Sequence, residues 1–235
     1  MALPGGATEV LRLAALLPLA PEATLLLAGR AARASSAVIV GARGCFVAAF
    51  DPDPPAPGRP QPKRGKVTAA PFDAGAPAFR PRFHHHAMLL EPLRGGGTPA
   101  GLLTAAAAAL RPGGQAVLVD IVARGVPAGQ AEDRWLLAEG RDTPPPSEAA
   151  MTDALRGAGF QVHVVEDAGP RHRAAALKGW RALLGALAAE QGRPGAPAAA
   201  ALVAEAEAWL LRLRLMQDGR LRLLRWHASV PGTPG

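Results

Sequence analysis

Two aspartates follow short apolar segments in the first third of the chain. Asp51 closes the segment "FVAAF", and Asp73 comes directly after "KVTAAPF". A carboxylate at the end of a strand can accept two hydroxyl hydrogen bonds, each worth about 1.5–3 kcal/mol because the acceptor is charged. Asp51 is therefore a candidate ligand-binding residue. Asp73 is a second candidate, although an aspartate after a Pro-Phe pair is also a common loop cap.

A run of three histidines, His84 to His86, is the second feature that could do chemistry. Imidazole titrates near neutral pH and can serve as a general base. The surrounding segment "FHHHAMLL" predicts a fourth strand, and we expect the run to lie near the end of that strand. His84 and His86 then share a face while His85 points away, which predicts no metal site and makes His84 and His86 the candidate catalytic residues. Structural histidines, a contact with substrate and a metal remain the alternatives.

Composition limits the classes of function. The chain has 235 residues, 49% of them hydrophobic, which predicts a single α/β domain over residues 1–235. The net charge of +7 comes mostly from arginine, in a composition typical of a GC-rich bacterial gene. With an aromatic fraction of only 4%, we expect no nucleic-acid partner. Residues 1–22 predict a helical lead-in that is too short and too polar to span a membrane. The single cysteine, Cys45, is not part of a disulfide framework and favours the cytoplasm.

Strand-like and helix-like segments alternate along the chain. The segment "TPAGLLTAAAAALRPGGQAVLVDIVA" predicts a helix capped by Thr98, a stop at Pro112 and the following glycine pair, and a strand buried on both faces. A second such unit begins with a helix capped by Ser147 and ends in a strand from Phe160 to Val165. Asp120, in the first of these strands, either lines a pocket or caps the strand. The alternation predicts a doubly wound, mostly parallel sheet.

Two segments interrupt or extend this alternation. Residues 51–65 contain too many prolines for a helix or a central strand, so they predict an extended connector. Residues 170–218 predict a helical segment before the last strand, "GRLRLLRWHASV". In its second helix the apolar residues form one stripe, and Arg212 and Arg214 are expected off that stripe, with packing against the sheet as the ordinary explanation.

The chain resembles the class I S-adenosylmethionine-dependent methyltransferases, in particular the type-11-like enzymes that act on small molecules. The passages that carry the resemblance are "LLLAGRAARASSAVIVGARGCFVAAFDPD", "APFDAG", "LRPGGQAVLVDIV" and "PSEAAMTDALRGAGFQVHVVEDAG". The resemblance implies a Rossmann-like sheet of seven strands with an antiparallel last strand that pairs with the strand before it. It also implies that S-adenosylmethionine is the cofactor.

The same resemblance implies positions for a cofactor site. The turn with Ala28, Gly29 and Ala31 passes under the methionine part of the cofactor, Asp51 accepts the ribose hydroxyls, and Asp73 with Ala74 meets the adenine. The family pattern has an acidic residue where this chain has Leu27, and glycines where it has Ala31 and Arg33. A Cβ in a left-handed conformation costs about 1–2 kcal/mol, so the departures at this turn bear directly on cofactor binding.

Two functions follow from the resemblance and its departures. The first is methyl transfer from S-adenosylmethionine to an unidentified small molecule, and the sequence favours this enzyme. The second is a module that keeps the fold, has lost catalysis, and serves as a partner or regulatory subunit. Either one allows a homo- or hetero-oligomer.

Overall fold

The computed structural model describes residues 3–53, 65–125, 129–189 and 195–232. Within them the chain forms one seven-stranded sheet in the order β3-β2-β1-β4-β5-β7-β6. The strands are β1 (Thr24–Gly29), β2 (Phe46–Asp51), β3 (Val67–Pro71), β4 (His84–Leu90), β5 (Leu110–Ala123), β6 (Gln161–Asp167) and β7 (Leu221–Ser229). The helices are α1 (Gly6–Ala14), α2 (Ala32–Arg43), α3 (Pro99–Ala109), α4 (Gln130–Glu139), α5 (Glu148–Gly157), α6 (Gly169–Ala189) and α7 (Ala196–Gln217), with one 3-10 turn (Pro92–Gly95) after β4.

Strand pairing confirms the predicted fold class. The neighbours among β3, β2, β1, β4 and β5 all pair in parallel, whereas β7 runs antiparallel to both β5 and β6. The last strand lies between the fifth and sixth strands, and its antiparallel pairing with β6 is the pairing that the resemblance implied. Its connection to β6 is long, because α6 and α7 lie between the two strands.

The core lies on both faces of the sheet, which explains why β1 and β5 are apolar without alternation. On one face, Leu25 and Leu27 of β1 pack in a cluster with residues of α1 and α2. On the other face, Leu26 and Ala28 pack in a cluster with residues of α3 and α5. The long run of small and aliphatic residues in β1 is therefore required by burial on both sides.

The predicted helix caps are confirmed, and one predicted boundary is wrong. The side chains of Thr98 and Ser147 accept hydrogen bonds from the backbone N–H groups of Gly101 and Ala150, both at 3.1 Å. The helix α3, however, ends at Ala109, before the "LRPGG" segment. That segment belongs to the first part of β5, where the backbone N–H of Gly113 donates to the carbonyl of Pro231.

Three further segments were predicted from the sequence: the helical segment 170–218, the lead-in and the Pro-rich connector. The predicted helical segment contains α6 and α7, and the lead-in contains the helix α1. Residues 54–64 of the Pro-rich connector lie outside the described residues. Within the described part of the chain, no helix combines the length and apolar character needed to span a bilayer.

Candidate functional site

A cavity of about 320 Å³ lies where β1, β2, β3 and β4 end. The carboxyl ends of parallel strands meet at this edge, and the strand order reverses between β1 and β4, which is the usual ligand position in doubly wound sheets. The cavity is lined by Arg30, Pro52, Asp53, Phe72, Asp73, Ala74, Glu91, Pro92, Arg94, Gly95, Glu139 and Gly140.

One end of the cavity, which we call the β2 and β3 end, is formed by the segments that follow these two strands. Asp73 and Ala74, two of the predicted binding residues, line it together with Phe72 and Asp53. Phe72 and Ala74 are buried, while the carboxylates of Asp53 and Asp73 are accessible. One oxygen of Asp73 accepts a hydrogen bond from the backbone N–H of Gly75 at 2.7 Å. This end therefore combines an apolar wall with two hydrogen-bond acceptors.

Asp51 has a different position from the one expected. Its side chain is buried and does not belong to the cavity lining. One carboxylate oxygen accepts the backbone N–H of Arg33 at 3.0 Å, and the other accepts the backbone N–H of Asp53 at 3.0 Å. Asp51 thus ties the turn after β1 to the turn after β2, and the carboxylate after β2 that reaches the cavity is Asp53.

The turn after β1 lies under the cavity. Ala28, Gly29 and Ala31, predicted to bind the cofactor, form this turn without lining the cavity, whereas Arg30 projects into it. Gly29 has φ 114°, and a Cβ added there would lie 2.0 Å from the carbonyl oxygen of Leu90. Glycine is therefore required by the close approach of β1 and β4. The family's second glycine is replaced by Ala31, which adopts the left-handed φ of 65° as the residue before α2.

Arg33 leaves the cavity open. It stands where the family pattern has a glycine, yet its side chain is not part of the cavity lining. Its backbone N–H contributes to the turn by bonding to Asp51. Residue 33 is the second residue of α2, so an ordinary helical backbone accommodates the arginine there.

The histidine run lies at the wrong edge of the sheet for the predicted catalytic role. His84 is the first residue of β4, and the cavity lies beyond the last residue, Leu90. Seven residue steps of extended chain lead from His84 to Glu91, a distance of about 23 Å at 3.3 Å per step. The expectation that His84 and His86 lie near the end of the strand is wrong, because the strand begins at the run instead of ending there. No histidine of the described residues lines the cavity.

The three histidines have structural environments. His84 is buried, both ring nitrogens lack a hydrogen-bond partner within the described residues, and burial lowers its pKa to about 4. The Nδ1 atom of His85 accepts a hydrogen bond from the backbone N–H of Thr24 at 3.0 Å, and that of His86 accepts one from Gln115 at 3.3 Å. Within the described part of the chain, no group of three His, Cys, Asp or Glu residues is arranged to hold a metal ion.

A buried ion-pair cluster, which we define as Glu91, Glu139, Arg141 and Arg212, lies at the β4 end of the cavity, and its two glutamates line the cavity. Arg212 of α7 donates to both oxygens of Glu91, at 2.9 and 2.7 Å, and to both oxygens of Glu139, at 2.5 and 2.8 Å. Arg141 adds a bond to Glu139 at 3.1 Å. Burial by itself would raise the pKa of Glu91, but the charge and hydrogen bonds of Arg212 hold it well below the usual value.

Glu91 is also strained. It directly follows β4 and has φ 43° and ψ 50°, a left-handed conformation that costs a residue with a Cβ about 1–2 kcal/mol. Strained residues persist only where their surroundings determine them, and they cluster at ligand sites. The two hydrogen bonds from Arg212 provide such a determinant.

Sequence reasoning missed this cluster. Both Arg212 and Arg214 were expected off the apolar stripe of α7, but the side chain of Arg212 is 1% exposed and that of Arg214 is 79% exposed. Glu91 and Glu139 are 48 positions apart in the printed sequence and lie on different elements. The available signal was an arginine surrounded by leucines in "LLRLRLM", and it could not identify the acidic partners.

Asp120 supports the 3-10 turn from beneath. Its buried carboxylate accepts the backbone N–H of Leu93 at 3.1 Å and that of Ile121 at 2.7 Å. Burial raises the pKa of Asp120 to about 7. The residue does not line the cavity, so its described contacts position the turn that carries Arg94.

This chain is similar to known proteins in its fold and not in its sequence. No protein-family model matches the sequence, and the search of the curated proteins found no match to it. Among solved structures, phosphoethanolamine N-methyltransferase 2 of Haemonchus contortus, in complex with S-adenosyl-L-methionine, superposes with a TM-score of 0.77 at 16% identity over 97% of this chain. The chain has the fold of class I S-adenosylmethionine-dependent methyltransferases. It spans only about half of that enzyme, 53% of its length.

Two further structures show how widely this methyltransferase fold is used. The cyclopropane synthase MmaA2 of Mycobacterium tuberculosis has a TM-score of 0.66 at 14% identity, covering 94% of this chain and 82% of its own. The cyclase SpnF has a TM-score of 0.66 at 15% identity, covering 97% and 81%. At such identities the likeness defines the fold, and the function must be argued from the residues of the site.

Proposed function

We propose that this protein transfers a methyl group from S-adenosylmethionine to a small-molecule acceptor. The observation that carries the proposal is the cavity at the ends of the first four strands, which is lined by the carboxylates of Asp53 and Asp73 and by the guanidinium groups of Arg30 and Arg94. A volume of about 320 Å³ lies in the range of small-molecule and cofactor pockets. Relatives of the same fold, including the Haemonchus contortus enzyme, hold this cofactor in their structures.

The residues at the β2 and β3 end fit an adenosine group. Phe72 and Ala74 offer an apolar wall for a planar base. Asp53 offers a carboxylate for ribose hydroxyls at the end of β2, with Asp51 holding its loop in place through the bond to the Asp53 backbone. Asp73 and Ala74 keep the adenine role that the resemblance implied.

The residues at the β1 and β4 end fit the methionyl group. Ala28, Gly29 and Ala31 shape the turn beneath it, and Arg30 and Arg94 bring positive charge to this end. When bound, S-adenosylmethionine supplies a methyl group already activated by a positive sulfur. The protein then has to hold the acceptor in line with that methyl and keep water away.

The chemistry of the cavity restricts the acceptor. The acidic residues closest to the β4 end, Glu91 and Glu139, are held ionised by Arg212, which lowers their pKa values against the effect of burial. A carboxylate with a low pKa is a weak general base. The proposal therefore includes an acceptor that is already nucleophilic, such as a neutral amine, a thiolate or a carboxylate.

The proposal places the enzyme in the cytoplasm. Cys45 is a buried free thiol, which is compatible with a reducing compartment. Part of the positive charge is neutralised locally, because Arg222 and Arg225 pair with carboxylates. We therefore propose a small-molecule partner and no nucleic acid.

Isothermal titration calorimetry with S-adenosylmethionine and S-adenosylhomocysteine tests the proposal. At about 0.1 mM protein, we expect saturable heat with micromolar dissociation constants. Asp73→Ala should weaken binding about 10-fold through the loss of a charged acceptor. Asp153→Ala is the matched control, because Asp153 is 74% exposed on α5 and outside the cavity lining. Absence of heat with both compounds would contradict the proposal and favour the non-catalytic module.

A further inference from the structure

Two guanidinium groups converge on one end of the cavity. Arg30 follows Gly29 at the end of β1, and Arg94 lies in the 3-10 turn after β4. The strands that carry them are neighbours, since Gly29 pairs with Leu90. Both side chains line the large cavity, and both also line a small hollow of about 20 Å³ beside Trp209.

Arg94 has no strong partner among the described residues. Its Nε atom is buried without a hydrogen bond, and the closest carboxylate oxygen, on Glu139, is 3.7 Å away. That carboxylate already accepts three hydrogen bonds from Arg212 and Arg141. The unpaired Nε–H carries a desolvation cost, and the side chain, which is 18% exposed, still offers the rest of its guanidinium to an acceptor in the cavity.

Arg30 adds a like charge close to Arg94. Burial is the main cause that lowers the pKa of Arg94; the charges of Glu139 and Glu91 raise it, and those of Arg212 and Arg30 lower it further. Arg30 forms an ion pair with Asp53, a 3.3 Å contact from its Nε atom, and both side chains are partly exposed. Two cations that face one cavity repel each other, and an oxyanion bound between them would relieve this repulsion.

The two ends of the cavity differ in charge. Asp73 stands at the β3 end and Arg94 at the β4 end. Between them, Arg30 pairs with Asp53, and the carboxylates of Glu91 and Glu139 near Arg94 are already bound by Arg212. Three inter-strand spacings separate β3 from β4, which is about 14 Å. A ligand with hydroxyl or amino donors at one end and an oxyanion at the other therefore has a single favourable orientation.

We infer that Arg30 and Arg94 form a carboxylate-binding subsite at the β1 and β4 end of the cavity. The inference rests on the proposed function for the source of the carboxylate, which is the methionyl end of the cofactor or an acidic acceptor. Planar guanidinium groups match the two oxygens of a carboxylate, and such charged bonds are about twice as strong as neutral ones. The subsite offers binding energy at the turn where Leu27, Ala31 and Arg33 depart from the family pattern.

Paired ligands separate the two sources of the carboxylate. S-Adenosylhomocysteine and 5′-methylthioadenosine share the adenosyl group, but only the first carries a carboxylate. If the cofactor supplies the carboxylate, Arg94→Gln should weaken S-adenosylhomocysteine about 10- to 100-fold in titration calorimetry and leave methylthioadenosine unchanged. Arg30→Gln should weaken S-adenosylhomocysteine by a similar factor relative to methylthioadenosine, because Arg30 also pairs with Asp53. If the acceptor supplies the carboxylate, the variants leave the ratio of the two nucleoside affinities unchanged, and acetate raises the melting temperature of the homocysteine complex of the wild type but not of the variants.

Controls keep a folding defect apart from a binding defect. Arg94→Lys retains the charge without the planar guanidinium group, so its affinity for S-adenosylhomocysteine should lie between those of the wild type and Arg94→Gln. Arg214→Gln, at an exposed arginine of α7, should change neither affinity. Circular dichroism and melting curves verify that each variant folds.

Two negative results have different meanings. If methylthioadenosine binds, but the variants change neither the ratio of the two nucleoside affinities nor the response to acetate, the subsite is refuted and the proposed function stands. If neither nucleoside binds, the proposed function fails. The acetate response of the free wild type compared with Arg94→Gln then decides the subsite by itself.

Discussion

Arg212 on α7 and Glu91 at the end of β4 form a buried ion pair with two parallel hydrogen bonds of 2.9 and 2.7 Å. They are 121 positions apart in the sequence and join the helical segment between β6 and β7 to the wall of the cavity. Removal of one partner from such a pair leaves an uncompensated buried charge.

Replacement of Arg212 should therefore be costly. We expect Arg212→Met to lower the free energy of unfolding by about 3–5 kcal/mol, because Glu91 and Glu139 would lose their shared cation. Urea denaturation measures the change. Arg214→Met, two residues away and 79% exposed, should stay within about 0.5 kcal/mol of the wild type. Equal stability of the two variants would show that the cluster does not hold α7 to the sheet.

Gly29 should tolerate no side chain. A Cβ at this position would lie 2.0 Å from the Leu90 carbonyl oxygen, and φ is 114°. We expect Gly29→Ala to unfold the protein or to destabilise it by more than about 3 kcal/mol, well beyond an ordinary glycine substitution. Gly41→Ala within α2 is the control, since nothing lies within 4 Å of the added Cβ. It should stabilise by about 0.5–1 kcal/mol, and a mild effect at both positions would disprove the close approach of β1 and β4.

Replacement of Ala31 by glycine should stabilise the protein. Its φ of 65° carries a cost of about 1–2 kcal/mol for a residue with a Cβ, partly offset by the greater freedom of glycine in the unfolded chain. We expect Ala31→Gly to raise the melting temperature slightly, equivalent to about 0.5–1 kcal/mol. Ala32→Gly, at the first residue of α2, should instead destabilise by about 1 kcal/mol. The reverse order of these two variants would contradict the left-handed conformation of residue 31.

His84 should make stability depend on acid pH. Its pKa is about 4 in the fold against an ordinary 6.5, so between these pH values the unfolded chain binds a proton that the folded chain does not. Stability should therefore fall as the pH decreases from 6.5 towards 4. His84→Leu should remove this part of the slope, measured by denaturation at several pH values. His163→Leu, at an exposed histidine, should preserve it. An unchanged slope in His84→Leu would assign the pH dependence to other groups, such as His172, whose pKa is also lowered.

Asp120 should make the stability depend on pH in the opposite direction. Its pKa of about 7 in the fold lies above the ordinary 3.8, so the folded chain retains a proton that the unfolded chain has lost. Its contribution to stability should be present at acid pH and disappear as the pH rises towards 7. Asp120→Asn should flatten this decline, and Asp153→Asn should leave it unchanged. A decline of equal size in Asp120→Asn would exclude Asp120 as its source.

The fold was accessible from local patterns. Burial on both faces makes β1 and β5 continuously apolar, and Thr98 and Ser147 indicate where the helices that they cap begin. These signals depend on residues that are close in sequence, so the chain displays them directly. The connection of β6 to β7 through two helices was likewise visible as the helical segment 170–218.

The site depended on relationships that the linear chain does not display. The strand that contains the histidine run was predicted correctly. Whether the histidines lie at the cavity end of that strand depends on the direction and register of the strand in the sheet, and they lie at the opposite end. Asp51 and Asp53 are equivalent as sequence signals, and only the path of two turns decides which carboxylate faces the cavity. The burial of Arg212 required Glu91 and Glu139 to arrive from two other elements.

The sequence by itself therefore determined the class of the fold, several of its strands and the capped starts of two helices, because propensity and hydrophobic period act over a few residues. The tertiary structure alone decided which charges are buried together and which groups face the cavity. Electrostatic pairing acts through space between distant parts of the chain, and the positions of Arg30, Arg94 and Arg212 exist only once the sheet has assembled.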